Sequence, residues 1–455
     1  MGSTVAGQQE SKRKLIHRSR VTNAPPVWEM MPAHLPFDPV AALGKLIYED
    51  DNLSINGNQS CSSCHFRKAG FADPENTAAP DLFPVSRGSI TTLFGGRNAP
   101  TAAYASFSPR LHWDGELFIG GMFWDGRATG QDVSGTSLPG APTTGDPLAD
   151  QAKGPFLNPV EMALMDKEQV IDFILGAPYG RLFLNLYGPQ IYSGGVLDYG
   201  MAYNKIAEAI AAFERSSLVN KFNSKFDRFV REQGGDVGTF GVTVEADGFR
   251  RFTGLPAGFR SKVFTRDEAE GLALFNADSE VQLGRGQAAG GMCYLCHLTS
   301  RHYPEAYSEN NVQPPNPFSS DGSYAPVLTD FSYDNLGIPL NPQIAILAGP
   351  QAVDLGLGAR IDELLGVLAD ADPLAEIGKF KVPSLRNVAD TPPYGHNGFF
   401  PDLLSIVHFY NARDVESFPD PEVPDTVNVD ELGNLGLSHD QEMKLVKFME
   451  TLSDR

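Results

Sequence analysis

The spacing of apolar residues along the chain predicts a mainly helical protein. The segment VAALGKLIYED, which follows Asp38–Pro39, has the apolar spacing and the proline start of a helix. From about 203 to 231, apolar residues recur about every 3.6 positions, which predicts one long amphipathic helix. Before EAEGLALF, Thr265 and Glu268 form the capping-box pattern that starts a helix. Further helices are predicted near Pro159–Val160 and over 360–370, 402–412 and 439–452.

The stretches between these helices lack periodicity and are punctuated by turn-forming residues. The chain holds 46 glycines and 34 prolines, which predicts long loops rather than a tight bundle. Residues 66–160 and 299–345 are predicted to be such loops, and the Gly-rich residues 232–265 are predicted to connect two domains. Residues 1–38 are polar and proline-rich, which indicates an extended arm.

The charge and hydropathy of the chain argue against two kinds of partner. The formal net charge of the 455 residues is -20, and no run of Lys and Arg is present. Nucleic-acid binding is therefore disfavoured, and a basic or neutral partner approaches more easily. No window comes near about 18 consecutive apolar residues, so no membrane span is expected.

All four cysteines lie in two C-x-x-C-H motifs. The motifs are CSSCH, with Cys61, Cys64 and His65, and CYLCH, with Cys293, Cys296 and His297. Such a motif indicates a c-type haem, because the thiols bond the haem vinyl groups and the histidine ligates the iron. A redox C-x-x-C or a zinc site would explain a single pair of cysteines. Two copies, each with its histidine and with no cysteine left over, favour two covalently attached haem c groups.

Covalent haem attachment also predicts the compartment and the division of the chain. It takes place outside the bacterial cytoplasm, so we expect a periplasmic protein. The N-terminal segment MGSTVAGQQESKRKL lacks an apolar signal region, so we expect that the leader peptide has been removed or replaced. A helix precedes each motif, which predicts two cytochrome c-like domains with one haem each. The predicted divisions are an extended arm at 1–38, an N-terminal haem domain at 39–262 and a C-terminal haem domain at 263–455.

Four further segments accompany the haem motifs over roughly residues 40 to 412. They are GRNAPT (96–101), FWDGRA (123–128), QAKGPFLNPVEM (151–162) and FKVPSLRNVADTPPYGHNG (380–398). In sequence and order they resemble the bacterial di-haem cytochrome c peroxidase and MauG family. The resemblance implies an oxidoreductase that reacts with hydrogen peroxide at the N-terminal haem, while the C-terminal haem transfers electrons.

The resemblance also assigns roles to single residues near the N-terminal haem. It implies Glu161 as the catalytic carboxylate, Gln151 as a second distal residue and Pro155 as a residue that packs over the haem. A carboxylate there can move a proton between the two peroxide oxygens, and an amide can stabilise the developing charge. Taken alone, Glu161 is explained more simply as an acidic residue that favours the start of a helix.

Between the haems, the resemblance implies a bridging tryptophan and a calcium site. Trp124 in FWDGRA matches the bridge, although Trp113 lies in a second W-D-G unit, and the spacing from Asn98 favours Trp113. We choose Trp124 because the Arg-Ala pair of the family motif follows it. The side chain of Asn98 and the carbonyl groups of Thr391 and Pro393 match a calcium site, and hard oxygen ligands suit that ion.

The expected axial ligand of the C-terminal haem departs from the peroxidase pattern. In the peroxidases, a methionine stands fourteen residues after the histidine that corresponds to His396; here that position is Tyr410, as in MauG. No methionine lies between Met292 and Met443, so the sequence is interpreted as excluding a nearby thioether ligand. His408 lies on the same helix, about 200° away, and is the second choice. An anionic tyrosine oxygen should lower the haem potential and stabilise high-valent iron.

A loop histidine that blocks the N-terminal haem in well-studied peroxidases of the family also has no counterpart here. Residues 75–88, which match that loop, contain no histidine, so the N-terminal haem is expected to be open without prior reduction. His112 is the nearest candidate for the missing ligand. It is more simply explained as a surface or packing residue.

These features predict a MauG-like enzyme that activates hydrogen peroxide, forms high-valent iron and oxidises aromatic residues of a partner protein. One alternative is a hydrogen-peroxide-detoxifying peroxidase fed by a small cytochrome c or cupredoxin. Another is a di-haem electron carrier without catalysis, which Glu161 and Gln151 argue against, because a carrier needs no acid–base group. The identity of the partner and the choice between monomer and homodimer stay open.

Overall fold

The fold is mainly helical, as the sequence predicts. The computed structural model describes residues 38–131, 143–299, 326–360 and 372–455. Its α-helices are Pro39–Tyr48, Cys61–Cys64, Pro74–Ala78, Pro147–Leu157, Lys167–Gly176, Gly180–Ile191, Tyr199–Glu214, Lys225–Glu232, Arg266–Phe275, Pro342–Ala348, Leu403–Ala412 and His439–Met449. Its short 3-10 helices are Asp51–Leu53, Arg67–Ala69, Ala105–Phe107, Cys293–Leu295, Leu357–Arg360, Pro373–Glu376, Val388–Asp390 and Glu450–Leu452. In these ranges, no helix is long and apolar enough to cross a membrane.

The sheet content is small and local. The strands form two-stranded antiparallel pairs, which are His112–Trp113 with Phe118–Ile119, Tyr192–Ser193 with Val196–Leu197, Val242–Val244 with Arg250–Phe252, and Tyr333–Asp334 with Phe380–Lys381. The registers place His112 opposite Ile119, Tyr192 opposite Leu197, Val242 opposite Phe252 and Tyr333 opposite Lys381. The last pair joins segments far apart in the chain, so it ties the FKVPSLRN segment to the residues that follow the second haem motif.

A crossing of two helices forms the centre of the first hydrophobic cluster. Helix Pro39–Tyr48 packs against helix Tyr199–Glu214, with the rings of Tyr48 and Phe213 5.0 Å apart. A Cβ atom on Gly44 would overlap the backbone oxygen of Ala209. Only glycine therefore allows this close approach, which buries apolar side chains of both helices.

The second hydrophobic cluster also contains a close contact between two helices that depends on a glycine. Helix Arg266–Phe275 packs against helix His439–Met449, and a Cβ atom on Gly271 would overlap the backbone oxygen of Lys444. In each cluster, a C-x-x-C-H motif follows the glycine-bearing helix along the chain. Phe226 and Phe229 already belong to the second cluster, so its core begins before residue 263. The division into domains at 262/263 stays a prediction.

Several predicted helices are confirmed. Asp38 caps the helix that starts at Pro39, through its side chain and the amide of Val40. Thr265 and Glu268 form the expected reciprocal capping box at the start of Arg266–Phe275. The helices expected over 402–412 and 439–452 are Leu403–Ala412 and His439–Met449, the latter extended by a 3-10 turn. The arm at 1–37 and most of the helix expected over 360–370 lie outside the described residues.

Two predicted helices are wrong, for different local reasons. The helix expected over 203–231 is two helices, because a capping box of Ser224 and Asp227 starts Lys225–Glu232 anew. The helix expected near Pro159–Val160 is a turn, since helix Pro147–Leu157 ends just before it. The predicted loop over 66–160 thus contains a helix that the sequence pattern did not indicate.

Candidate functional site

The first haem motif lies in a cavity, called here the first cavity. Cys61 and Cys64 occupy a one-turn helix, His65 follows it, and all three line the cavity together with many other residues. The two cysteines do not form a disulfide bond, and both residues are half-buried. Gln151, Pro155 and Glu161, the residues predicted to lie over the N-terminal haem, line the same cavity.

The backbone orients His65 as a metal-ligating histidine is usually oriented. Its Nδ1 lies 3.2 Å from the oxygen of Phe71, and the hydroxyl of Tyr48 donates to the oxygen of His65 at 2.9 Å. Burial lowers the pKa of His65, so its ring is neutral at pH 7. A neutral ring fixed by a backbone contact at Nδ1 is the usual arrangement of a histidine that binds metal through Nε2.

Glu161 belongs to the turn after helix Pro147–Leu157. The amide Nδ2 of Asn158 donates to Oε1 of Glu161 at 2.6 Å, and the amide of Ser89 donates to its backbone oxygen at 2.8 Å. Burial raises the pKa of Glu161, while the charge of Arg127 and the bond from Asn158 lower it. The carboxyl group is therefore held in place while its proton affinity is increased.

The second haem motif lies in another cavity, called here the second cavity. Cys293, Cys296, His297 and Tyr410 line it. Nδ1 of His297 lies 2.9 Å from the oxygen of Leu328, which repeats the arrangement at His65. Burial lowers the pKa of His297 to about 4, so this ring is also neutral.

Tyr410 extends from helix Leu403–Ala412 towards the second cavity. Burial raises its pKa, and no described residue makes a hydrogen bond with its hydroxyl. His408 lies outside the cavity lining and is 39% exposed, with Nδ1 2.8 Å from Glu442 and Nε2 3.2 Å from Glu416. Both of its ring nitrogens therefore already have carboxylate partners.

Two methionines also line the second cavity, which the sequence reasoning did not anticipate. Met292 directly precedes the haem motif, and Met449 ends helix His439–Met449. The absence of methionine between Met292 and Met443 therefore does not keep thioether groups away from this cavity. Met449 reaches it because the C-terminal helix packs back across Arg266–Phe275.

Trp124 lies between the two cavities. It is part of the lining of both, and its Nε1 donates to the backbone oxygen of Asn98 at 2.9 Å. Trp113, the alternative bridge, sits in a short strand with its ring 5.0 Å from that of Phe118 and lines neither cavity. Of these two tryptophans, Trp124 is the one that lies against both cavities, and its bridging role stays a prediction.

The three residues predicted to bind calcium line one cavity, and calcium binding stays a prediction. Asn98, Thr391 and Pro393 all line the second cavity. Nδ2 of Asn98 donates to the oxygen of Pro84 at 2.9 Å, which directs the side-chain oxygen away from that contact. Among the described residues, no donor is bonded to this oxygen or to the carbonyls of Thr391 and Pro393, so all three suit a hard cation.

His112 lies outside the lining of the first cavity. Its Nδ1 lies 2.9 Å from the backbone oxygen of Arg110. The loop that would carry the blocking histidine includes helix Pro74–Ala78, and a bond between Arg87 and Glu75 at 2.9 Å crosses that loop. This loop contains no histidine, and the expectation of an open N-terminal haem stays a prediction.

A charged network beside the first cavity was not identified from the sequence. Asp125 is 2% exposed and accepts from Arg97 at 2.8 Å and from Arg127 at 3.0 Å, with Arg360 at 3.8 Å. Arg97 also pairs with Asp354 at 2.6 Å. Asp125 and Arg127 lie within the FWDGRA segment, next to Trp124.

Comparison with known proteins identifies the class. Residues 38–235 match the family model described as di-haem cytochrome c peroxidase. The chain is 33% identical over 436 residues to the methylamine utilization protein MauG of Paracoccus denitrificans, covering 92% of this chain and 89% of that protein. It is 26% identical over 400 residues to the cytochrome c peroxidase Ccp of Escherichia coli, covering 87% and 58%.

Solved structures agree in fold. The diheme peroxidase BthA of Burkholderia thailandensis superimposes with a TM-score of 0.66 at 25% identity, covering 95% of this chain and 89% of that one. The chain belongs to the di-haem cytochrome c peroxidase and MauG family of oxidoreductases. Membership implies two haem c cofactors, and the two cavities with their paired cysteines and oriented histidines fit that group.

Proposed function

We propose that the protein is a MauG-like oxidoreductase. It activates hydrogen peroxide in the first cavity, stores oxidising equivalents at both haems and uses them to oxidise aromatic residues of a partner protein. The observation that carries the proposal is Trp124, which lines both cavities and so offers an electron path between them. The 33% identity to MauG of Paracoccus denitrificans supports the same reading.

The residues of the first cavity support peroxide activation. Cys61, Cys64 and His65 would hold the first haem there, and its iron would supply a binding site for peroxide. Glu161 then takes the proton from one peroxide oxygen and returns it to the other. Gln151 orients the peroxide and stabilises charge on the leaving oxygen, and Pro155 limits the space over the haem.

The residues of the second cavity support storage rather than simple transfer. We infer that His297 and Tyr410 ligate the second haem, which is attached through Cys293 and Cys296. An oxygen ligand from tyrosine favours oxidised iron more than a thioether ligand does. We infer further that Asn98, Thr391 and Pro393 bind Ca²⁺ beside Trp124, that residues 39–262 and 263–455 form the two haem domains, and that the protein works in the periplasm.

A peroxidase that removes hydrogen peroxide is the second candidate function. The net charge of -20 favours it, because an acidic surface steers a basic electron donor such as a small cytochrome c or a cupredoxin. The E. coli relative named cytochrome c peroxidase belongs to that functional group. The two functions share the first cavity and differ in the role of the second.

The need for prior reduction separates these functions. Fully oxidised holoprotein is mixed with one equivalent of peroxide, beside a sample first reduced by one electron, and peroxide consumption is followed. The MauG-like function predicts rapid consumption by the oxidised sample. Consumption only after reduction would instead establish the peroxidase, and none in either sample would contradict both.

Replacing the inferred ligand of the second haem tests its assignment. The change Tyr410→Phe is expected to alter the low-spin spectrum of the second haem, because it removes the oxygen ligand but retains the ring. The matched changes His408→Phe and Met449→Leu should leave that spectrum as in the wild type. Absorption and electron paramagnetic resonance spectra of the oxidised proteins provide the measurement. An unchanged Tyr410→Phe spectrum with a changed Met449→Leu spectrum would transfer the assignment to Met449.

A further inference from the structure

Glu214 is a buried carboxyl group that the chemistry above does not use. It is the last residue of helix Tyr199–Glu214, is 5% exposed and lines the first cavity. Its Oε2 is shielded from solvent and has no hydrogen-bond partner, and no described residue bonds to its other carboxyl oxygen. An unpartnered buried carboxyl group costs folding free energy, so its retention needs a reason.

The groups that face Glu214 favour a neutral carboxyl group. Burial raises its pKa to about 8; the charge of Arg215 lowers this pKa, and that of Asp146 raises it. Tyr48 and Cys61 are the other titratable groups close enough to be affected by it. Glu214 consequently holds a proton at pH 7, while it lies in the same cavity as Glu161.

Two partly exposed charged groups, Arg215 and Asp146, act on Glu214 through their charges. The guanidinium of the next residue, Arg215, is 36% exposed and donates to Asp146 at 2.7 Å, and Asp146 is 26% exposed. Asp146 caps helix Pro147–Leu157, which carries Gln151 and Pro155. Because the charges of both groups act on the Glu214 carboxyl group, this pair brings solvent-accessible groups into its surroundings.

The proposed chemistry needs a proton supply of this kind. A full turnover converts H₂O₂, two protons and two electrons into two molecules of water. The aromatic side chains of the partner supply the electrons, and two protons have to enter the cavity. Glu161 redistributes a proton that peroxide already carries, so it does not meet this demand by itself.

We propose that Glu214 supplies solvent protons to the first cavity during the return of the enzyme to its resting state, receiving them at the Arg215–Asp146 surface. This inference rests on the proposed function. Each transfer moves one proton from the Glu214 carboxyl group into the cavity, and a solvent proton then restores it. Glu214 does not contact the reacting oxygen atoms, so it acts through the water and groups between them.

The experiment compares wild-type holoprotein with Glu214→Gln, Glu214→Asp and the control Glu208→Gln. Glu208 lies on the same helix, but at its surface, where it pairs with Lys205 at 2.7 Å. Infrared difference spectra should show a protonated-carboxyl band that titrates near pH 8 in wild type and control and is absent from Glu214→Gln. After one equivalent of peroxide and a reductant, return to the resting spectrum should slow about 100-fold in Glu214→Gln.

The initial reaction with peroxide should keep its wild-type rate in Glu214→Gln, and Glu214→Asp should restore part of the return rate. A return rate in Glu214→Gln equal to that of the wild type would overturn the inference, as would an infrared band that persists in this variant. Failure of the wild type to react with peroxide would instead refute the proposed function. In that case the infrared band still decides whether Glu214 holds the proton.

Discussion

Replacing Glu161 by glutamine is expected to slow the reaction of the oxidised protein with hydrogen peroxide by about 10²–10⁴-fold, the usual contribution of one acid–base group. Glutamine keeps the size of the side chain and can still meet Asn158, which lies 2.6 Å from Oε1 in the wild type. What it loses is the ability to accept a proton from peroxide. Stopped-flow absorbance at equal peroxide concentrations gives the two rate constants.

The pH dependence of the same reaction provides an independent test of Glu161. Because burial raises the pKa of Glu161, the wild-type rate should fall as the pH is lowered through that raised pKa, where the carboxylate becomes protonated. Glu161→Gln should lack this acid limb. Glu168→Gln is the matched control, since Glu168 lies in the first turn of the next helix and outside the cavity lining. A Glu161→Gln variant with wild-type rate and pH profile would remove Glu161 from the chemistry.

Replacing Arg386 by methionine is expected to cost about 3–5 kcal/mol of unfolding free energy, the range for breaking a buried ion pair. Arg386 is fully buried and donates to Asp227 at 2.7 Å. Its Nε and Nη2 donate to the oxygen of Pro326 at 2.9 and 2.6 Å. Methionine fills much of the space but leaves the carboxylate of Asp227 without its cation.

Arg386 also stabilises the contact between the two hydrophobic clusters. Its guanidinium lies 4.9 Å from the ring centre of Phe222, in the first cluster, and 5.7 Å from that of Phe226, in the second. Denaturant unfolding of the holoprotein measures the loss. Arg266→Met is the control, because Arg266 is 74% exposed in its pair with Glu270 and should change stability by about 0.5 kcal/mol or less. An equal, small effect of both changes would show that the buried pair does not stabilise the fold.

The contribution of the Arg386–Asp227 ion pair to the free energy of unfolding should depend on pH. Burial raises the pKa of Asp227, but Arg386 and Ser224 outweigh it and hold that pKa below its ordinary value of 3.8. A carboxyl group with a lowered pKa stabilises the fold above its unfolded pKa, and this contribution is lost as the pH falls below about 4. The stability difference between wild type and Arg386→Met should therefore narrow in acid.

Features that depend on a few adjacent residues could be predicted from the sequence. The helix after Asp38 and the capping box at Thr265 are examples, because a cap needs only one local turn of chain. Local capping also explains why the single helix predicted over 203–231 is wrong. Apolar spacing continues through 215–224, but the Ser224 capping box starts a new helix there, and capping overrode periodicity.

Features that depend on contacts between distant parts of the chain could not be predicted from the sequence. The Arg-Ala pair favours Trp124 over Trp113, but the surroundings of the two side chains depend on the tertiary fold. Trp124 lines both cavities, while Trp113 packs on Phe118. Met449 is remote in sequence from the second haem motif and reaches its cavity through helix packing. Glu214 gives no sequence signal, because its environment arises from segments far apart in the chain.

The central claim is that Trp124 lets both haems share the oxidising equivalents of one peroxide. The most direct test is electron paramagnetic resonance of the oxidised holoprotein after one equivalent of peroxide. Wild type and the control Trp113→Phe are predicted to lose the ferric signals of both haems together. Trp124→Phe is predicted to lose only the signal of the first haem. Loss of both signals in Trp124→Phe, at the wild-type rate, would contradict the account.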